Sequence, residues 1–253
     1  MQEHEHALTG GNATQGVVRV GATVRKPWTP ATAGVLEFMG AVRSAGVDVP
    51  EPLGQDELGR QVTEFVPGRL ALELPSLSPA DLARVGQIVR AIHDASEGFV
   101  PRAFAAWDTL IPAPDDELVC HNDLAPWNLI VGDRWVFIDW DGAGPSTRLW
   151  DLAYAAQAFT LSDASEDPKV AAERLKAFVD GYGATTELRS ELPSTMARRA
   201  EAMYDLLHAS HRSGREPWGS MYVNGHGAHW RVAADYVQRS QSTWLEALTA
   251  RVP

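Results

Sequence analysis

Residues 120–156, CHNDLAPWNLIVGDRWVFIDWDGAGPSTRLWDLAYAA, constrain this chain more than any other stretch. Three short apolar runs, Leu118 to Cys120, Leu129 to Val131 and Trp135 to Ile138, read as strands. Gly132-Asp133 between the last two supplies the turn of a hairpin. A strand, a polar loop and a hairpin in succession bring the end of the hairpin back to the edge where the loop began. The polar residues gathered there are His121, Asp123 and Asn128, in the pattern H-x-D-x-x-x-x-N, and Asp139 at the end of the last strand.

Those residue types in that order suit phosphoryl transfer. Such a reaction asks a protein for a carboxylate that orients the attacking hydroxyl and accepts its proton, for oxygen ligands to Mg²⁺, and for positive charge on the phosphates. An Asp with an Asn five residues later puts a base and an amide oxygen on opposite sides of one tight loop. The hairpin then delivers a second carboxylate to the same edge. Hard Mg²⁺ prefers such oxygen ligands and keeps several waters. An ordinary acidic hairpin is the competing reading of the segment.

The rest of the chain divides by character. GGNATQG and GVVRVGATVRK, residues 10–26, read as a glycine-rich turn and two antiparallel strands. Ala31 to Ala45 carries Val35, Leu36, Phe38, Met39 and Val42 at helical spacing, with Gly46 as its stop. Another strand pair lies around Leu53 and from Gln61 to Phe65. Helices follow: Ser78-Pro79-Ala80-Asp81 is an N-cap, a first-turn proline and an acid, opening a helix with Leu82, Val85, Val89 and Ile92 on one face. Further helices are expected from Val170 to Tyr182, preceded by Asp167-Pro168, from Ser194 to Arg212 and from His229 to Leu248. The fold class is therefore α+β.

The central segment resembles the catalytic and metal-binding loops of the aminoglycoside phosphotransferase and choline kinase families, whose pattern is H-G-D-x-x-x-x-N, then I-D-W, then D-L-A. Here these elements are His121-Asn122-Asp123, Asn128, Ile138-Asp139-Trp140 and Asp151-Leu152-Ala153. The resemblance extends more weakly over the N-terminal part and the helix from Asp81 to His93. It implies a bilobal protein-kinase-like fold: a small N-terminal antiparallel sheet lobe, residues 1–66, that binds nucleotide, and a larger, mainly helical C-terminal lobe, residues 67–253, for catalysis and acceptor binding. Carried over residue by residue, it makes Asp123 the catalytic base, Asn128 and Asp139 the Mg²⁺ ligands, and His121 and Asp151 structural members at the site. Asn122 stands where the families have glycine, a tolerable change because asparagine accepts unusual backbone angles better than most residues.

For the nucleotide, ATP or GTP, the resemblance points to Gly11 and Asn12 in the glycine-rich turn and to Glu64 and Val66 at an interlobe hinge. It points also to a basic residue at the end of the strand before Pro27. Side chains alternate on a strand, so one of Arg25 and Lys26 faces the cleft; Arg25 occupies the family position. Glu37 is the acid in the following helix with which that residue would pair, although its register fits poorly. Acceptor contacts are sought on the C-terminal helices at Glu201, Asp205 and Trp230, with His208, His211, Trp218 and Tyr222 nearby; core packing and a solvated helix face compete for all of them.

A net charge of -11 argues against nucleic acid and anionic membranes as partners and fits a cationic acceptor such as an amino sugar or an aminoglycoside. A single cysteine, Cys120, rules out an internal disulfide framework, and the N-terminus lacks the basic start and apolar run of a signal peptide, so a reducing cytoplasm is the expected compartment. The expected activity is transfer of the γ-phosphoryl group to a hydroxyl of a small molecule. A kinase-like module that binds nucleotide or ligand without transfer is the alternative, disfavoured because Asp123, Asn128 and Asp139 are all present. A protein kinase is less favoured still, because H-R-D and D-F-G are missing.

Overall fold

The computed structural model describes residues 4–8 and 16–250. It opens with an antiparallel sheet of five strands. These are β1 (Glu5–Ala7), β2 (Val18–Val20), β3 (Thr23–Lys26), β4 (Pro52–Gln55) and β5 (Gln61–Glu64), in the spatial order β1-β2-β3-β5-β4. Between β3 and β4 runs α1 (Thr32–Ser44), ended by Gly46 at φ 92°, the left-handed conformation glycine adopts without penalty. One face of α1 buries Val35, Phe38, Met39 and Val42, and Phe38 meets Trp140 from the central segment with ring centroids 5.7 Å apart. The small sheet is thereby joined, through its helix, to the same core as the rest of the chain.

After the short strand β6 (Arg69–Leu70) comes α2 (Pro79–Ser96). Ser78 accepts the Asp81 backbone N–H while the Asp81 carboxylate accepts that of Ser78, a capping box that satisfies two of the donors a helix start leaves over. β7 (Leu118–Cys120), β8 (Leu129–Val131), β9 (Trp135–Phe137) and β10 (Gly144–Ser146) form the central β section. β8 and β9 are the expected hairpin, with β6 on its other side. β10 pairs antiparallel with β7, Gly144 opposite Cys120, so the chain just before His121 lies beside the chain just after Asp139.

The helices are α3 (Arg148–Thr160), α4 (Pro168–Tyr182), α5 (Thr186–Ser213), α6 (Trp218–Met221), α7 (Gly227–Arg239) and α8 (Gln241–Thr249). α2 and α4 pack closely because each offers a glycine at the contact: a Cβ on Gly86 would lie 2.2 Å from the Phe178 carbonyl oxygen, and one on Gly181 2.1 Å from that of Ala83. Two expectations need correction. The helix expected from Ser194 begins at Thr186, capped by Thr185, and continues through Pro193. Pro193 lies within the helix, and it is buried where packing offsets the lost backbone bond. The helix expected from His229 to Leu248 is two helices that break at Ser240. Among the described residues no helix is long and apolar enough to cross a membrane.

Candidate active site

The site is built on the β7–β10 pair. His121 leaves β7 fully buried, and burial lowers its pKa, so the ring is neutral and carries one N–H. Its Nδ1 lies 3.3 Å from the Asp123 backbone nitrogen, which must donate to it, so Nε2 is the protonated nitrogen and donates to the Ile138 carbonyl at 3.1 Å. One imidazole thus ties the loop that carries Asp123 to the residue before Asp139. Asn122 sits at φ 64°, the left-handed region that its short polar side chain tolerates. Its backbone N–H donates to Asp151 Oδ1 at 2.9 Å, and its side-chain nitrogen to the Gly142 and Gly144 carbonyls, each at 3.2 Å.

Asp123 is half-buried, with a donor on each carboxylate oxygen. Tyr154 from α3 donates its hydroxyl to Oδ1 at 2.9 Å, and Asn128 Nδ2 donates to Oδ2 at 2.7 Å and to the Asp123 carbonyl at 2.9 Å. Burial pushes the Asp123 carboxyl up to about 7, the neighbouring charge of Asp139 adds to the rise, and the two donors oppose it. Because both Asn128 contacts are acceptors, its nitrogen faces Asp123 and its Oδ1 is left for another partner.

Asp139 is held at φ 61°, ψ 61° at the start of a short turn. Burial works against its carboxylate, but Lys26 at the end of β3 pairs with it and holds its pKa below the usual range. Lys26 also reaches Asp141 Oδ2 at 2.9 Å, and Gln61, its partner across the sheet, donates to Asp141 Oδ1 at 3.2 Å. Burial opposes the lysine's charge and the two carboxylates outweigh it, so its pKa is raised. This corrects the expectation for Arg25, whose guanidinium lies 3.6 Å from Asp56 instead. The strand alternates, and the parity falls to the next residue. Glu37 pairs with Arg102 at 3.0 Å, not with either strand cation.

Behind the loop, Asp151 Oδ2 meets His93 Nε2 at 3.0 Å, and His93 Nδ1 meets the Tyr182 hydroxyl at 2.9 Å, all buried. Potential ligand atoms of His93, Cys120 and Asp151 lie within 4.8 Å of one another. The histidine and carboxylate atoms are committed to hydrogen bonds and burial raises the Cys120 thiol pKa, so the cluster serves as an anchor for α2, α3 and α4.

Of the nucleotide candidates, Gly11 and Asn12 lie outside the described residues. Glu64 ends β5 and pairs with Arg134, and Val66 is buried with Ile130 and Val136. On the C-terminal helices Glu201 meets Arg231 at 3.2 Å, Asp205 is exposed, and Trp230 is buried and stacks with Tyr154 at 6.2 Å between centroids. Sequence reading named Lys26 only as the alternative to Arg25, and missed Asp141, Gln61, Tyr154 and His93. Asp141 stands two residues after Asp139, and Tyr154 stands one helical turn after Asp151. Those spacings were the available signals.

Residues 97–190, which contain this loop, the hairpin, and Cys120, Asp151 and Tyr182 of the anchor, match the model of the phosphotransferase enzyme family (APH). The resemblance is to phosphotransferases. No curated protein matches the chain by sequence. Among solved structures, an amicoumacin kinase in complex with AMP-PNP, Ca²⁺ and Ami superposes with a TM-score of 0.68 at 14% identity, covering 94% of this chain and 89% of that one. A microcompartment-associated aminopropanol kinase gives 0.64 at 16% identity, covering 97% and 94%. A choline/ethanolamine kinase family protein from Mesorhizobium loti gives 0.58 at 18% identity, covering 95% and 92%. The chain therefore has the protein-kinase-like fold that these small-molecule kinases share, with the small antiparallel sheet at the N-terminus and the mostly helical part after it.

Proposed function

We propose that this chain is a small-molecule kinase that moves the γ-phosphoryl group of ATP or GTP onto a hydroxyl of its acceptor, with nucleotide held between lobes 1–66 and 67–253. The observation that carries the reading is the orientation of Asn128. Its nitrogen is spent on Asp123, which leaves its Oδ1 as an oxygen donor, and its backbone carbonyl accepts the N–H of Ile138 at 2.8 Å, the residue before the ionised carboxylate of Asp139. Two hard oxygen donors fit Mg²⁺, and Asn128 and Asp139 would hold it. A metal held there would supply positive charge to offset that of the phosphates.

In this reading Lys26 exchanges its carboxylate partners for phosphate oxygens and holds the nucleotide by charge. Asp123 orients the acceptor hydroxyl and takes its proton as the new O–P bond forms and the bond to the β-phosphate oxygen breaks, releasing the nucleoside diphosphate. The acidic chain, net charge -11, suits a cationic acceptor such as an amino sugar, an aminoglycoside or an amino alcohol.

The test is mass spectrometry of such a panel after incubation with the protein, Mg²⁺ and ATP or GTP, with Asp123→Asn as control. One acceptor gaining a single phosphoryl mass with the unmutated protein alone supports the reading. Nucleotide consumption unaffected by Asp123→Asn overturns the base assignment.

A further inference from the structure

We propose that Tyr154 is a positioning residue for Asp123, fixing the plane of its carboxylate through the tyrosine hydroxyl, with Arg199 and Trp230 fixing the tyrosine ring. The inference rests on the reading of Asp123 as the base and adds to it a residue that the H-x-D-x-x-x-x-N pattern does not contain.

A carboxylate held at one oxygen still turns about its last side-chain bond. Asn128 holds Oδ2, and Tyr154 holds Oδ1 at 2.9 Å, so the plane of the group is set. Burial, and then the charge of Asp123, push the tyrosine pKa well above its ordinary value, so the hydroxyl stays protonated and donates. Tyr154 lies three residues after Asp151 on α3, a spacing that puts both side chains on one helix face. That face therefore grips the catalytic loop twice: Asp151 takes the Asn122 backbone N–H and Tyr154 takes the Asp123 side chain.

The ring is itself restrained. The Arg199 guanidinium lies over it at 4.3 Å, Trp230 stacks with it at 6.2 Å and Trp127 meets it edge-on at 6.4 Å. Arg199 is only 5% exposed, and its Nη1 finds no hydrogen-bond partner among the described residues. A buried guanidinium left partly unpaired is costly. What offsets that cost here is a long hydrogen bond from its Nη2 to the Asn122 carbonyl at 3.5 Å, the face of Tyr154, and the charges of Asp123 and Asp151. A cation in this position makes sense as a clamp on the residue that holds the base, and helix packing alone would be served by an apolar side chain.

Tyr154→Phe keeps the ring, its stacking and its cation contact and removes only the hydroxyl. The assay is Mg²⁺-ATP turnover with water as acceptor, so no acceptor need be known, measured for the unmutated protein, Tyr154→Phe, Asp123→Asn and the double variant, with melting temperature as the check on folding. Tyr154→Phe is expected to lower kcat by on the order of 10²-fold, the cost of a misplaced reacting group, with KM for Mg²⁺-ATP and the melting temperature little changed. The double variant is expected to be no slower than Asp123→Asn alone, because Tyr154 acts through Asp123. If Asp123→Asn is slow but Tyr154→Phe turns over at the unmutated rate, Tyr154 has no such role and the base assignment stands. A double variant much slower than Asp123→Asn would also overturn the inference. Full turnover by Asp123→Asn would remove the base assignment and this inference with it.

Discussion

The loop from His121 to Asn128 and the turn from Asp139 to Gly142 each present an aspartate to the same edge, yet they treat it in opposite ways. Asp123 is held by two neutral donors beside another negative charge, and its pKa rises to about 7. Asp139 also pays a burial penalty but faces the ammonium of Lys26, and its pKa falls. Identical side chains are thus separated into a group suited to exchanging a proton near neutrality and one suited to staying ionised against cations. Environment assigns the roles: burial decides for Asp123, and for Asp139 the deciding neighbour, Lys26, comes from a distant part of the chain.

The sharpest way to break that comparison is to neutralise each acid in turn. Asp123→Asn is expected to cut phosphoryl transfer by about 10³-fold or more while the dissociation constant for Mg²⁺-nucleotide, measured by calorimetry, stays nearly unchanged. Equal damage to binding would show that the two acids are not divided as described. The two strand cations give the next test. Lys26→Met is expected to lower kcat/KM for nucleotide by about 10²-fold, as loss of a fixed charge on the reacting phosphates does. Arg25→Met should leave kcat/KM within about twofold, because its guanidinium faces Asp56 at 3.6 Å on the other side of the strand from Lys26.

Asp139→Asn should weaken nucleotide binding by on the order of tenfold or more when Mg²⁺ is present, with a much smaller change when it is withheld. The smallest expected effect is on stability. The folded pKa of Asp123 lies above its unfolded value near 3.8, so its contribution to stability is full below about pH 4 and is lost as pH rises through 7. Asp123→Asn should therefore raise the melting temperature of the nucleotide- and metal-free protein by a few degrees at pH 8 and by less at pH 4. A larger gain at pH 4 would contradict the direction of the shift.

Much of the fold and of the site is legible in the amino-acid sequence alone. The hairpin at Gly132-Asp133 and the cap at Ser78 are local devices, and local chemistry is what a sequence displays. The juxtaposition of Asp123, Asn128 and Asp139 follows from one loop and one hairpin of short length. The parity of Arg25 and Lys26 is not legible, because either residue satisfies the strand pattern and only the sheet's placement over the Asp139 turn selects one. Helix limits fail where packing overrides propensity, at Pro193 inside α5, and where α7 and α8 part at Ser240.

The sequence by itself determined the segment from His121 to Asp139, the α+β division and the meeting of Asp123 with Asp139, since each is written in residues close along the chain. Tertiary structure alone decided which cation meets Asp139, that Asp141 and Gln61 join it, and that Tyr154, Arg199 and Trp230 stand in a chain of contacts to Asp123. The hydrogen bonds among them span from 31 to 115 residues of chain. Side chains so far apart in sequence meet only when helices and strands have packed, and the pairings that result depend on burial and charge at the meeting point, which no local pattern carries.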